Sequence, residues 1–136
     1  MKEDKLIIIK QIELINDYIN DECQEHLFYL PRSNSMVFER IRNASFTLLN
    51  NAMRILRNQK PIIKQSEGIL TLEKTRELML KMYKILLTED FPIKKENKIR
   101  TLIKDEFNIN PTDILVSNPN DDQEEKKTWQ LLHHGI

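Results

Sequence analysis

Glycine is nearly missing: the chain has two in 136 residues. Tight sheet turns and phosphate-cradling loops depend on glycine for positive φ and close backbone approach. A dinucleotide-binding βαβ unit, a P-loop and a many-stranded barrel are therefore not expected. A single cysteine excludes an internal disulfide and any multi-cysteine zinc site. Long apolar runs are also lacking. The stretch 6–9 is too short for a signal h-region or a membrane span, so a soluble, cytoplasmic chain is expected. Neither sign of charge dominates, since 21 basic and 21 acidic side chains cancel and name no partner in bulk. What remains, 40% apolar and 31% charged residues, is an ordinary globular composition and a helical one.

Helical spacing is plain in the first segment, about 5–28. Ile8, Ile12, Ile15, Ile19 and Cys23, then His26 or Leu27, and Leu30, recur three and four apart on one face. Leu30-Pro31 ends it, because the residue before proline is pushed out of the helical region. Ser33, Asn34 and Ser35 offer N-caps for a second helix to about residue 59. Its apolar positions, Val37, Ile41, Ala44, Leu48, Ala52 and Ile55 with their flanks, cover an arc of roughly 140°, wider than a two-helix seam requires. Phe46 and Met53 fall still further round, seven residues apart on one stripe, and are candidates for an interface between copies.

Residues 61–68 read as a linker, with Gly68 as a turn and Thr71 as the cap of a third helix over about 72–87. Leu72, Met79, Met82, Tyr83 and Leu86 face inward. Phe91-Pro92 ends this helix, and a shorter fourth one, about 94–107, uses Ile99, Leu102, Ile103 and Phe107. Asn110-Pro111-Thr112-Asp113 has the form of a helix start with proline at its first position. The stretch 118–127 is polar and charged, and 128–134 could add a short helix carrying Trp129, Leu131 and Leu132. The expected architecture is all-α: an antiparallel four-helix bundle over 1–107 with a polar, acidic extension over 108–136.

Charge that cancels overall is segregated locally. Residues 1–30 carry three cations against seven carboxylates. Residues 31–64 carry seven cations, Arg32, Arg40, Arg42, Arg54, Arg57, Lys60 and Lys64, against Glu39 alone, a net +6. Arginine forks match phosphate geometry and stack on bases, so these seven are the candidate nucleic-acid contacts. Arg40, Arg54 and Arg57 fall within about 100° on the helical wheel and are expected to face one ligand together. The competing expectation pairs them with the acidic first helix.

Catalytic and metal-binding patterns are sparse. Cys23 and His26, three apart, have no third ligand nearby and fit the buried stripe; His133 and His134 are adjacent rather than at helical spacing. Ser33 and Ser35 have no histidine or carboxylate spaced to activate them, and the paired carboxylates Asp21-Glu22 and Asp121-Asp122 point apart on a helix. No enzyme activity, cofactor or metal is expected.

Phe28-Tyr29-Leu30-Pro31-Arg32-Ser33, followed by Arg40-Ile41-Arg42-Asn43-Ala44-Ser45-Phe46-Thr47-Leu48-Leu49, carries a resemblance. The pattern resembles the four-helix-bundle family that includes the accessory variability protein of diversity-generating retroelements and the proteins encoded in ribosomal-RNA intervening sequences. In that family an aromatic-Leu/Phe-Pro-Arg/Lys-Ser turn precedes a helix with Arg-Ile-Arg/Lys-Asn-x-Ala-x-x-Leu-Leu. The likeness covers about residues 5–88. Beyond them the family's fourth helix is longer, often with a Gly-Trp near its end, where this chain has Phe91-Pro92, a short helix and a distant Trp129. The resemblance implies a homo-oligomeric ring, pentameric in the characterised branch. Such a ring binds RNA or an RNA/DNA hybrid and a reverse transcriptase through basic surfaces, and supports error-prone cDNA synthesis without catalysing it. The alternative is a structural bundle that docks proteins and binds no nucleic acid.

Overall fold

The computed structural model describes the backbone of residues 2–27 and 31–117, and the side chains of 4–27, 31 and 34–117. Within these, four α-helices and no strand form an antiparallel bundle. Helix α1 spans Lys2–Leu27, α2 Arg32–Leu56, α3 Leu72–Leu86 and α4 Pro92–Thr101. The expected all-α class holds.

Helix α1 packs on both α2 and α3, while α4 lies on the far side, against α2 and α3. The directions follow from side-chain pairs. Ser45 donates to Asn16 at 2.7 Å and Phe38 stacks on His26, so α1 and α2 run opposite ways. Arg76 reaches Gln11 and Tyr83 stacks on Tyr18, a constant offset along two parallel helices. Lys95 reaches the Leu86 carbonyl at the end of α3 while Glu106, beyond α4, pairs with Lys81 further back, so α4 runs antiparallel to α3.

The predicted stripes form the core. Ile8, Ile12, Ile15, Ile19 and Cys23 of α1 meet Val37, Ile41, Ala44, Leu48 and Ala52 of α2, and Leu72, Met79, Met82 and Leu86 of α3 close it. Each large side chain so buried contributes about 1.5–3 kcal/mol. Thr71 caps α3 as expected, accepting from the Lys74 N–H.

Five local expectations change. Helix α2 starts at Arg32, ahead of the serines, with Pro31 at the N-cap and its carbonyl accepting from the Asn34 and Ser35 N–H groups at 2.9 Å. It ends at Leu56 rather than near residue 59, because Asn58 adopts φ 55 and Gln59 donates back to the Arg54 carbonyl at 2.8 Å. That left-handed closure is one asparagine tolerates. The linker is more than a spacer: Ile63 and Leu70 are buried, and Asn51 Oδ1 accepts from the backbone N–H of both Ile62 and Ile63. Helix α4 starts on Pro92 and widens into a π-turn over Leu102–Glu106, closed by Asn108 at φ 54 and an Ile109 N–H to Ile103 carbonyl bond. Pro111–Asp113 forms a single 3₁₀ turn, and Ile109, Ile114 and Leu115 join the core, so the bundle extends past residue 107. The expected terminal helix at 128–134 lies outside the described residues.

Candidate nucleic-acid interface

The seven expected cations do not share one environment, because α2 presents two different sides beyond its core arc. Residues 41, 44, 45, 48, 51 and 52 face the interior. One flank turns toward α4 and the segment after it. The opposite flank, an arc of about 100° holding Glu39, Arg42, Phe46, Leu49, Asn50, Met53 and Arg57, lies open.

On the α4 flank the polar groups are already used. The Arg40 fork reaches both carboxylate oxygens of Glu96, Nε at 2.5 Å and Nη2 at 3.0 Å. Glu96 is 3% exposed, and Arg100 adds a longer contact at 3.4 Å. A carboxylate this buried needs such a partner, since removing one member of a buried pair strands the other charge. The hydrogen bond from Arg40 to Glu96 is the main cause that raises the arginine's already high pKa. Asn43 Nδ2 donates to the carbonyls of Val116 and Ser117, holding the described end of the chain beside α2. Arg54 Nε donates to the Lys60 carbonyl at 2.6 Å and fastens the turn after α2. Arg40 and Arg54 are thus tied into the fold, and the expected trio of Arg40, Arg54 and Arg57 divides between two flanks. The competing expectation also changes. Arg40 finds its carboxylate on α4, and no ion pair links α1 to α2 among the described residues.

The open flank is different. Arg57, Lys60 and Lys64 are exposed, Arg42 is half-buried, and none of the four makes an ion pair or side-chain hydrogen bond among the described residues. Between Arg42 and Arg57 sits Phe46, 41% exposed, beside Asn50. Met53 and Leu49 are half-buried against the core. Phe46 and Met53, expected between copies, therefore lie within the cationic face. Arg32 opens α2, but its side chain lies outside those described.

Sequence reasoning missed Glu96 and Lys95, both buried. Lys95 Nζ donates to the Leu86 and Thr88 carbonyls, ending α3 where its last carbonyls lack helical partners. The available signal was scant: α4 has few apolar residues for a bundle helix, so charged ones had to fill its inner face. Other chemistry is thin. Burial pushes the Cys23 thiol up to about 12, which keeps it protonated, and His26 lies stacked on Phe38. No group of three or more metal-ligating residues occurs among the described residues, and His133 and His134 lie outside them. No described helix is long and apolar enough to cross a membrane.

A second exposed feature is apolar. The outer sides of α1 and α3 present Leu14, Tyr18, Leu80 and Leu87, with the Tyr18 ring stacked at 5.7 Å on Tyr83, which is expected inward and is half-buried against the core. Comparisons with protein-family models, with curated proteins and with solved structures found no match to this chain.

Proposed function

We propose that this chain is a non-catalytic accessory subunit that binds nucleic acid, self-associates, and serves a reverse transcriptase and its RNA. The observation that carries the reading is the open flank of α2, where Arg42 and Arg57, continued by Lys60 and Lys64, have no ion-pair or side-chain hydrogen-bond partner among the described residues and bracket the exposed ring of Phe46. Unpaired guanidinium groups suit phosphate oxygens, and an aromatic between them suits stacking on an unpaired base. The family resemblance over the first three helices supplies the reverse transcriptase and the RNA or RNA/DNA hybrid. Arg40 and Arg54 act in this reading as supports that fix α2 rather than as phosphate contacts.

Self-association falls more naturally to the Leu14, Tyr18, Leu80 and Leu87 surface than to Phe46 and Met53, because a contact at the latter pair would cover the cations. That same apolar surface favours the second reading, a protein-docking bundle without nucleic-acid binding. Filter binding of an RNA hairpin and an RNA/DNA hybrid across a salt series separates the two. Phosphate contacts release counterions, so affinity should fall steeply and linearly on a log–log plot. Absent binding, or binding indifferent to salt, would refute the accessory-subunit reading and leave the protein-docking one.

A further inference from the structure

We propose that residues 118–136 dock on the open flank of α2 of the same molecule, placing Asp121, Asp122, Glu124 and Glu125 against Arg42 and Arg57 and Trp129 with Leu131 and Leu132 against Phe46, Leu49 and Met53. The segment's point of departure is fixed. Asn43 holds the carbonyls of Val116 and Ser117, so the chain leaves the bundle beside α2 itself. From Ser117, an extended chain gains at most about 3.5 Å per residue. Asp121, four residues on, can therefore travel about 14 Å, more than the roughly 10 Å of helix surface that separates Asn43 from Arg42, about 100° away on a helix about 10–12 Å across. Trp129, twelve residues on, can reach any point between Phe46 and Met53, which lie only about 10 Å apart along the axis.

Charge and shape select this face. From Glu39 to Lys64 the chain carries six cations against that one carboxylate, whereas 118–125 carries four carboxylates and no cation. The flank's centre, by contrast, is apolar: Phe46 is 41% exposed, and Leu49 and Met53 are half-buried. Four carboxylates, then Lys126 and Lys127, then an indole and two leucines leave the segment net acidic and complement cations set around an aromatic. The α1–α3 apolar surface matches less well, because α1 brings seven carboxylates against three cations to its side of it. The docked segment occupies the cations assigned above to phosphate, so it acts as a built-in competitor for polyanions. That last consequence alone rests on the nucleic-acid reading.

The chain has one tryptophan, so the emission of Trp129 in the full-length protein reports this segment without interference. The expected result is a blue-shifted emission and several-fold weaker acrylamide quenching than in the denatured chain, both independent of protein concentration. R42E combined with R57E, and separately F46E, should move emission and quenching toward the denatured values while circular dichroism stays helical. Adding D121R and D122R to the arginine variant should restore the shift. Three results would overturn the docking: a Trp129 already solvent-exposed in the wild type; a shielded one indifferent to all three flank substitutions; or shielding lost on dilution, which would seat the segment on a second copy. Polyuridylate is the separate probe of competition, and should red-shift Trp129 as it binds. If polyuridylate does not bind, the nucleic-acid reading fails while the fluorescence of the variants still decides the docking.

Discussion

The two flanks of α2 carry the same residue types and do opposite work. Toward α4, Arg40, Asn43 and Arg54 are spent inside the molecule, on Glu96, on the carbonyls of Val116 and Ser117, and on the Lys60 carbonyl. On the other side, Arg42, Asn50 and Arg57 face outward around Phe46 with no such partners among the described residues. A turn of the helix decides whether an arginine is structural or a candidate for binding. Charge counted along the sequence cannot make that distinction, since it depends on which neighbour each position meets.

The largest expected effect falls on the committed flank. Arg40→Ala leaves the Glu96 carboxylate buried with only the longer Arg100 contact, and should cost about 3 kcal/mol or more in chemical denaturation. Arg42→Ala, on the open flank, should cost less than about 1 kcal/mol. Equal losses would erase the distinction between the flanks.

Glu96 also marks the limit of what the sequence discloses. The inner faces of α1, α2 and α3 are legible because Ile8, Ile12, Ile15 and Ile19, and then Ile41, Ala44, Leu48 and Ala52, repeat at helical spacing. The Thr71 cap is legible for the same local reason. Lys95 and Glu96 read as a solvated face, and nothing periodic shows that one ends α3 and the other anchors α2. Ile63 and Leu70 are lost in a polar linker, where isolated apolar residues have no period to betray them. The net negative charge of the first helix offered Arg40 an obvious partner, but α4 provides the actual one. The seven candidate cations were visible; their division was not, because it is made by tertiary packing.

A smaller effect should follow from Asn43→Ala, which frees the carbonyls of Val116 and Ser117. A loss of about 1–2 kcal/mol is expected, with hydrogen exchange accelerating first across residues 114–117. Unchanged exchange there would mean that Asn43 does not fasten the segment.

The smallest effect concerns an exposed pair remote from both flanks. Lys98 bonds to Asp90 and, with help from Thr88, holds its carboxyl below the usual aspartate range. Because the folded state favours the ionised form, the pair's contribution is present at neutral pH and lost as pH falls through the lowered value. Asp90→Asn should therefore melt slightly below the wild type at neutral pH and converge with it in acid. A gap that persists or widens in acid would contradict this assignment of the proton.

The division of α2 into a structural and a binding flank is tested most directly by RNA binding across a salt series, with Arg42→Gln/Arg57→Gln set beside Arg40→Gln. The double change on the open flank should weaken binding and flatten the log–log salt slope by about one unit for each phosphate no longer neutralised, with the melting temperature nearly unchanged. Arg40→Gln should lower the melting temperature and, at a temperature where it remains folded, leave the slope intact. The reverse pattern, a slope that follows Arg40 and ignores Arg42 and Arg57, would contradict the account.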